Sequence, residues 1–115
     1  MAERFLQLDV FADRPGGGNP LGVVIGAAHW SDSAMQSFAA WADLVETTFL
    51  LPASDPLASY RLRIFTPSRE IAFAGHPTIG SAHAALATGL VELTAHGLVQ
   101  QCAAGLLPIR ALGEG

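Results

Sequence analysis

Between Arg4 and Phe11 apolar and polar positions alternate, with Leu6, Leu8 and Val10 on one side and Gln7 and Asp9 on the other. A period of two predicts a half-buried strand. The alternation returns over Tyr60–Phe65, where Tyr60, Leu62 and Ile64 face one way and Arg61 and Arg63 the other. Leu21–Ile25 and Val45–Leu51 are short apolar runs, read as two further strands, and Glu70–Phe73 reads as a short one. From Ser31 to Leu44 the period changes. Met35, Phe38, Ala39 and Ala42 recur at helical spacing, and Ser31 or Ser33 can cap the helix. Gly97–Cys102 and Leu106–Leu112 look like two closing strands, and Gly113–Gly115 has linker character.

The stretch Ala74–Gly89, AGHPTIGSAHAALATG, carries no such phase, and no formally charged residue stands between Glu70 and Glu92. A helix that is apolar all round must be wrapped by other elements. Pro77 suits the first helical position and Gly89 the position after the last turn. The helix is therefore expected to begin just after Gly75-His76, with the free N–H groups of Thr78, Ile79 and Gly80 favouring an anion. The Gly75-His76-Pro77 break leaves about a dozen helical residues, too few for the ~20 of a membrane span. A buried core helix is expected, with no membrane contact.

About seven strands and two helices, not regularly alternating, predict an α+β fold. A curved, mostly antiparallel or mixed, barrel-like sheet around the apolar helix would bury that helix on every side. The 115 residues suit a single domain over 1–115, and with half of them apolar and 14% charged the chain has a compact core rather than disorder. All six basic residues are scattered arginines, so a footprint for nucleic acid is missing. The single cysteine, Cys102, excludes an internal disulfide and a cysteine-rich zinc site. No secretory signal opens the chain, and a cytoplasmic location is expected.

Two residues draw chemical interest. Glu46 opens the third strand between Val45 and two threonines. A carboxylate desolvated by apolar neighbours exchanges protons near neutral pH; an exposed glutamate at a strand start is the other reading. His76, before Pro77, either passes a proton or orients a substrate, or else simply caps the helix. His83, inside the apolar helix, reads as a core histidine bonded to a backbone carbonyl. The four histidines show no metal-site pairing, so no metal centre is expected. Gly75–Ser81 has P-loop glycine spacing without its lysine, and neither G-x-G-x-x-G nor G-x-S-x-G occurs. The glycine-rich loop Arg14–Pro20 either lines a site or is a surface turn.

Four segments taken together resemble the PhzF-like isomerases of phenazine biosynthesis, which have the diaminopimelate epimerase fold. They are Leu8–Phe11 leading to Gly18-Asn19-Pro20, Val45–Phe49, Arg61–Pro67, and Gly75–Thr78 with Ser81-Ala82-His83. The resemblance implies one lobe of that fold, a sheet around a central helix, and a cofactor-free isomerase. It makes Glu46 the group that moves a proton between carbons of a small carboxylated substrate, with His76 and Gly75 beside that substrate. Asn19 falls on a loop facing the same crevice, and the Gly75–Gly80 turn, with Pro77 and Thr78, cradles the carboxylate. Family members carry a second, pseudo-symmetric lobe that closes the site and supplies an acidic residue. A homodimer or a complementary second lobe is the expected partner. Related racemases use a cysteine where Ala74 stands, which weakens an epimerase or racemase reading. A non-catalytic binding module is the other alternative.

Overall fold

The computed structural model describes residues 3–10, 14, 17–92, 94 and 97–109. Its elements run β1 (Arg4–Val10), β2 (Asn19–Ile25), α1 (Asp32–Ala42), β3 (Glu46–Leu51), β4 (Tyr60–Phe65), β5 (Glu70–Ile71), α2 (Gly75–Ala87), β6 (Leu98–Cys102) and β7 (Gly105–Ile109). The strands form one mixed sheet in the order β1-β2-β3-β4-β6-β7, with β5 paired to β4. β2 runs parallel to β3, and β4 parallel to β6; the other pairings are antiparallel. The two parallel pairings follow from the two helices, because a parallel neighbour needs a long crossover.

Two apolar clusters lie on opposite faces of the sheet. Leu21, Val23, Ile25, Leu50, Leu62 and Ile64 pack under α2 with Ala82, Ala84 and Ala85. Val24, Phe49, Leu51 and Phe65 pack under α1 with Met35 and Ala39. Central strands β2 and β3 are thus covered on both faces. That explains why they read as continuous apolar runs, whereas β1 and β4 alternate.

Local chemistry fixes the ends of α1. Ser31 Oγ accepts from the Ala34 amide at 3.1 Å, and Asp43 closes the helix in the left-handed region (φ 55°), its N–H on the Ala39 carbonyl. The start of α1 is tied to the sheet by Arg63, whose guanidinium forks onto Glu70 at 2.9 and 2.8 Å and reaches Asp32 at 2.8 Å. Those bonds, to Glu70 above all, hold Arg63 charged, and Arg63 holds the Asp32 carboxyl below its usual range.

Several expectations are corrected. The sheet does not close into a barrel: β1 and β7 are its two edges. Consequently α2 is covered on one side only, and Gly75, Ile79, His83 and Ala87 form an exposed stripe at four-residue spacing. His83 is therefore no core histidine; it lines a groove with Leu8, Asp9, Val10, Ile79 and Gly80. α2 begins at Gly75, two residues earlier than expected, so Pro77 sits inside the first turn rather than at its opening. Gly89 does follow the helix with φ 77°, as a left-handed terminator should. β5 stops at Ile71, and Phe73 is half exposed beyond it. The expectations for Phe11, Pro15, Gly16, the end of β7 from Arg110 to Leu112 and the tail Gly113–Gly115 fall outside the described residues. Among the described residues no helix is long and apolar enough to cross a membrane.

Two small polar residues sit inside the core between β3 and α2. Thr48 and Ser81 are both fully buried, with their hydroxyls 2.8 Å apart, and Thr48 Oγ1 also lies 3.4 Å from the Gly22 carbonyl. Ser81→Ala leaves Thr48 with only that long bond and is expected to cost about 1–2 kcal/mol. Thr48→Val combined with Ser81→Ala should cost less than the sum of the two single changes, because no orphaned hydroxyl then remains. Urea unfolding of the three variants measures this directly.

Candidate active site

The site is built where the head of β3 meets the start of α2. The left-handed Asp43 turns the chain out of α1, and Glu46 enters the sheet opposite Leu21 of β2. Along β3, Thr48 bonds Ser81 of α2 and Leu50 joins the cluster under α2. Strand alternation therefore points Glu46 to the α2 face as well. His76, the second residue of α2, comes down onto it, with Nε2 2.9 Å from Glu46 Oε1.

The pair is enclosed but not satisfied. The side chains are 12% exposed for Glu46 and 16% for His76. The two atoms lie at ion-pair distance, and neither has a further hydrogen-bond partner. Both facing atoms are shut off from solvent. Buried polar atoms without a hydrogen bond are uncommon in folded proteins, which singles this pair out as a candidate site.

The helix start supplies donors. Ala74 occupies the N-cap in an extended conformation and has no side chain with which to cap. The first intrahelical bond runs from the Thr78 amide to the Ala74 carbonyl at 3.3 Å. Pro77 has no N–H, so the amides the helix itself leaves unpaired are those of Ala74, Gly75 and His76, not those of Thr78, Ile79 and Gly80. A Cβ built on Gly75 would meet nothing within 4 Å, so the chain is open to its surroundings beside this residue. The partial positive charge of a helix N-terminus favours a carboxylate there.

The remaining candidates divide. Asn19 opens β2 opposite Val10 and is exposed. Two residues before Leu21, it shares the face and the end of the sheet that carry Glu46. Pro77 and Thr78 are buried, and the Thr78 hydroxyl is already engaged, donating to the Ala74 carbonyl at 2.9 Å and accepting from Gln100 Nε2 at 3.3 Å. The structure thus brings Glu46 and His76 into contact beside Gly75, leaves Asn19 exposed at the same end of the sheet, and turns Pro77 and Thr78 inward. Cys102 ends β6 in the hairpin to β7, with Sγ 3.7 Å from the Gly105 carbonyl. An apolar cavity of about 480 Å³ opens elsewhere, at the Leu51 end of β3 between Ile25, Tyr60, Leu90 and Val91, and holds neither Glu46 nor His76.

Sequence reasoning missed Gln100 and Tyr60, which stand behind the helix start. Gln100 is fully buried, its Oε1 accepting from the Tyr60 hydroxyl at 3.2 Å. A signal was present: Gln100 lies two residues from buried Leu98 on β6 and so shares its face.

Known proteins bear on this geometry. Residues 8–115 match the profile of the PhzC-PhzF family, described as phenazine biosynthesis-like protein. The chain is 44% identical over 110 residues to antisense-enhancing sequence 1 of Schizosaccharomyces pombe, covering 96% of this chain and 37% of that protein. It is also 44% identical over 80 residues to the trans-2,3-dihydro-3-hydroxyanthranilate isomerase of Pseudomonas aeruginosa, covering 69% of this chain and 28% of the isomerase. Among solved structures, the Bacillus anthracis phenazine biosynthesis protein of the PhzF family superposes with a TM-score of 0.83 at 35% identity, over 96% of this chain and 36% of that one. The chain spans less than two fifths of the length of these relatives. It belongs to the PhzC-PhzF family, whose named relatives include isomerases, and it folds as those proteins do over the part they share.

Proposed function

We propose that this chain carries the base-bearing half of a cofactor-independent isomerase that moves a proton between carbons of a small carboxylated metabolite. The observation that carries this reading is the enclosed Glu46–His76 contact of 2.9 Å, set at the uncapped start of α2. A carboxylate held out of bulk water beside an imidazole is placed to take a proton from carbon through its other oxygen. The C–H electron pair then passes into the adjacent π-system of the substrate, and the same proton returns from Glu46 to a different carbon, so no electrons enter or leave. His76 lies beside the transfer and can hold or orient the proton. The amides of Gly75 and His76 stabilise the carboxylate and the charge that develops next to it. Asn19 borders the same crevice.

The crevice has one wall here, and the opposite wall is proposed to come from a complementary second lobe or from a second copy of the chain, with a C2 pair as the default symmetry. The test is proton exchange in deuterated buffer on trans-2,3-dihydro-3-hydroxyanthranilate, proline and a panel of cyclic and amino-acid carboxylates, run beside sedimentation. Exchange into one class of substrate by an assembled species supports the reading. A stable monomer with no exchange on any member supports a non-catalytic binding module instead. That second reading draws on the exposed apolar side of α2, where Ile79 is 52% exposed. Exchange at the α-carbon of proline would favour an epimerase, for which Ala74 and the distant Cys102 provide no thiol pair.

A further inference from the structure

The first turn of α2 has no capping side chain, yet it must hold Gly75 and His76 in place against Glu46. A buried polar relay stands behind it. The Tyr60 hydroxyl donates to Gln100 Oε1 at 3.2 Å, Gln100 Nε2 donates to Thr78 Oγ1 at 3.3 Å, and the Thr78 hydroxyl donates to the Ala74 carbonyl at 2.9 Å. Every link has one direction, so the orientation of the amide is set by its neighbours. Tyr60 is 1% exposed, Gln100 0% and Thr78 7%. Burial pushes the Tyr60 phenol well above its ordinary range, so it remains a donor at every working pH.

The relay spans three elements. Tyr60 opens β4 and pairs with Gln100 of β6, and Thr78 belongs to α2. Its terminus is the carbonyl of the N-cap residue, which also accepts the first helical bond from the Thr78 amide. A fully buried glutamine has given up its hydration, and only bonds at both ends compensate that loss, which favours keeping every link of the relay.

We propose that Gln100 is a positioning residue for the site: through Thr78 it fixes the first turn of α2 and thereby the placement of His76 on Glu46. This rests on the Glu46–His76 assignment above, and the tests separate the two. Gln100→Met and Thr78→Val each break the relay while keeping side-chain volume close to the original; Thr78→Ser keeps the hydroxyl. Gln101→Met is the control, because Gln101 bridges Ser54 and Asp55 on the same strand and touches nothing at the site.

The primary readout needs no substrate. In isotope-labelled protein, the ring resonances of His76 and the cross-relaxation between its ring protons and the Glu46 methylenes report the contact. Gln100→Met and Thr78→Val should both shift the ring resonances in the same sense and reduce that cross-relaxation by about half or more, while Thr78→Ser and Gln101→Met stay at wild-type values. In the exchange assay the first two should lower the saturated rate about tenfold with KM within about twofold. The proposal is overturned if Gln100→Met and Thr78→Val lose stability yet keep wild-type His76 resonances and cross-relaxation. Should wild type itself exchange no proton, the catalytic reading fails, while the His76 spectra still decide the role of Gln100. If Gln100→Met does not fold, Thr78→Val against Thr78→Ser carries the same comparison.

Discussion

Glu46→Gln lowers proton exchange by a factor of about 10² to 10⁴, the range in which a positioned general base contributes. The amide has the same shape as the carboxylate and cannot take a proton from carbon. Stability should not fall with activity. Glu46 Oε1 makes no hydrogen bond that the amide would break, and the relief of burying a charge offsets the loss of its ion-pair contact with His76. The expected result is therefore a melting temperature equal to or above wild type with exchange at background. Retention of wild-type exchange by Glu46→Gln would remove Glu46 from the chemistry, and a large drop in melting temperature would make it a structural residue.

The largest effect on stability belongs to Gly80. It sits on the side of α2 that presses on the sheet, where an added Cβ would lie 2.5 Å from Leu21 Cδ2 and 2.8 Å from Val10 Cγ2. Leu21 is fully buried and Val10 nearly so, which leaves little room for either to retreat. Gly80→Ala gains up to about 1 kcal/mol of helix propensity and loses about 1–3 kcal/mol to overpacking, for a small net loss. Gly80→Val adds two branches without further gain and should cost about 3 kcal/mol. Chemical denaturation at unchanged m-value checks both. Because Leu21, Val10 or the helix must shift to admit the side chain, exchange should fall in step with stability in this series, in contrast to Glu46→Gln. A Gly80→Ala variant more stable than wild type would mean that α2 packs further from the sheet than described.

The outline of the fold was legible where side-chain period carried it. β1 and β4 alternate, α1 has an apolar stripe with a serine cap, and each was found close to its true bounds. What was not legible concerns α2, and the reason lies in its composition. Ala82, Ala84, Ala85 and Ala87 are spread around the helix, so no face is marked as inward. Uniform apolarity was read as burial on every side, whereas the open sheet leaves the Ile79–His83 stripe uncovered. The start of α2 was misplaced for a related reason. Proline is tolerated anywhere in a first turn, so Pro77 marks the turn without marking its opening residue. Glu46 and His76 were legible as candidates because each interrupts an apolar context with a titratable group. Their contact was not, since residues 30 apart meet only through the sheet register and the helix packing. Gln100 escaped notice because Gly97–Cys102 was read only as a closing strand with no face assigned, and one of its two adjacent glutamines lies within the core.

The two parallel pairings have a kinetic consequence. Leu21 finds Glu46 only after α1 has been looped out, and Tyr60 finds Gln100 only after α2 has. Both closures spend chain entropy before any strand contact repays it, and no local hairpin contains the site. A topology of this kind folds on the order of milliseconds or slower. During that interval the apolar stretch from Ile71 to Val91 has no sheet to lie against, so a nascent chain stalled within it exposes its least soluble segment.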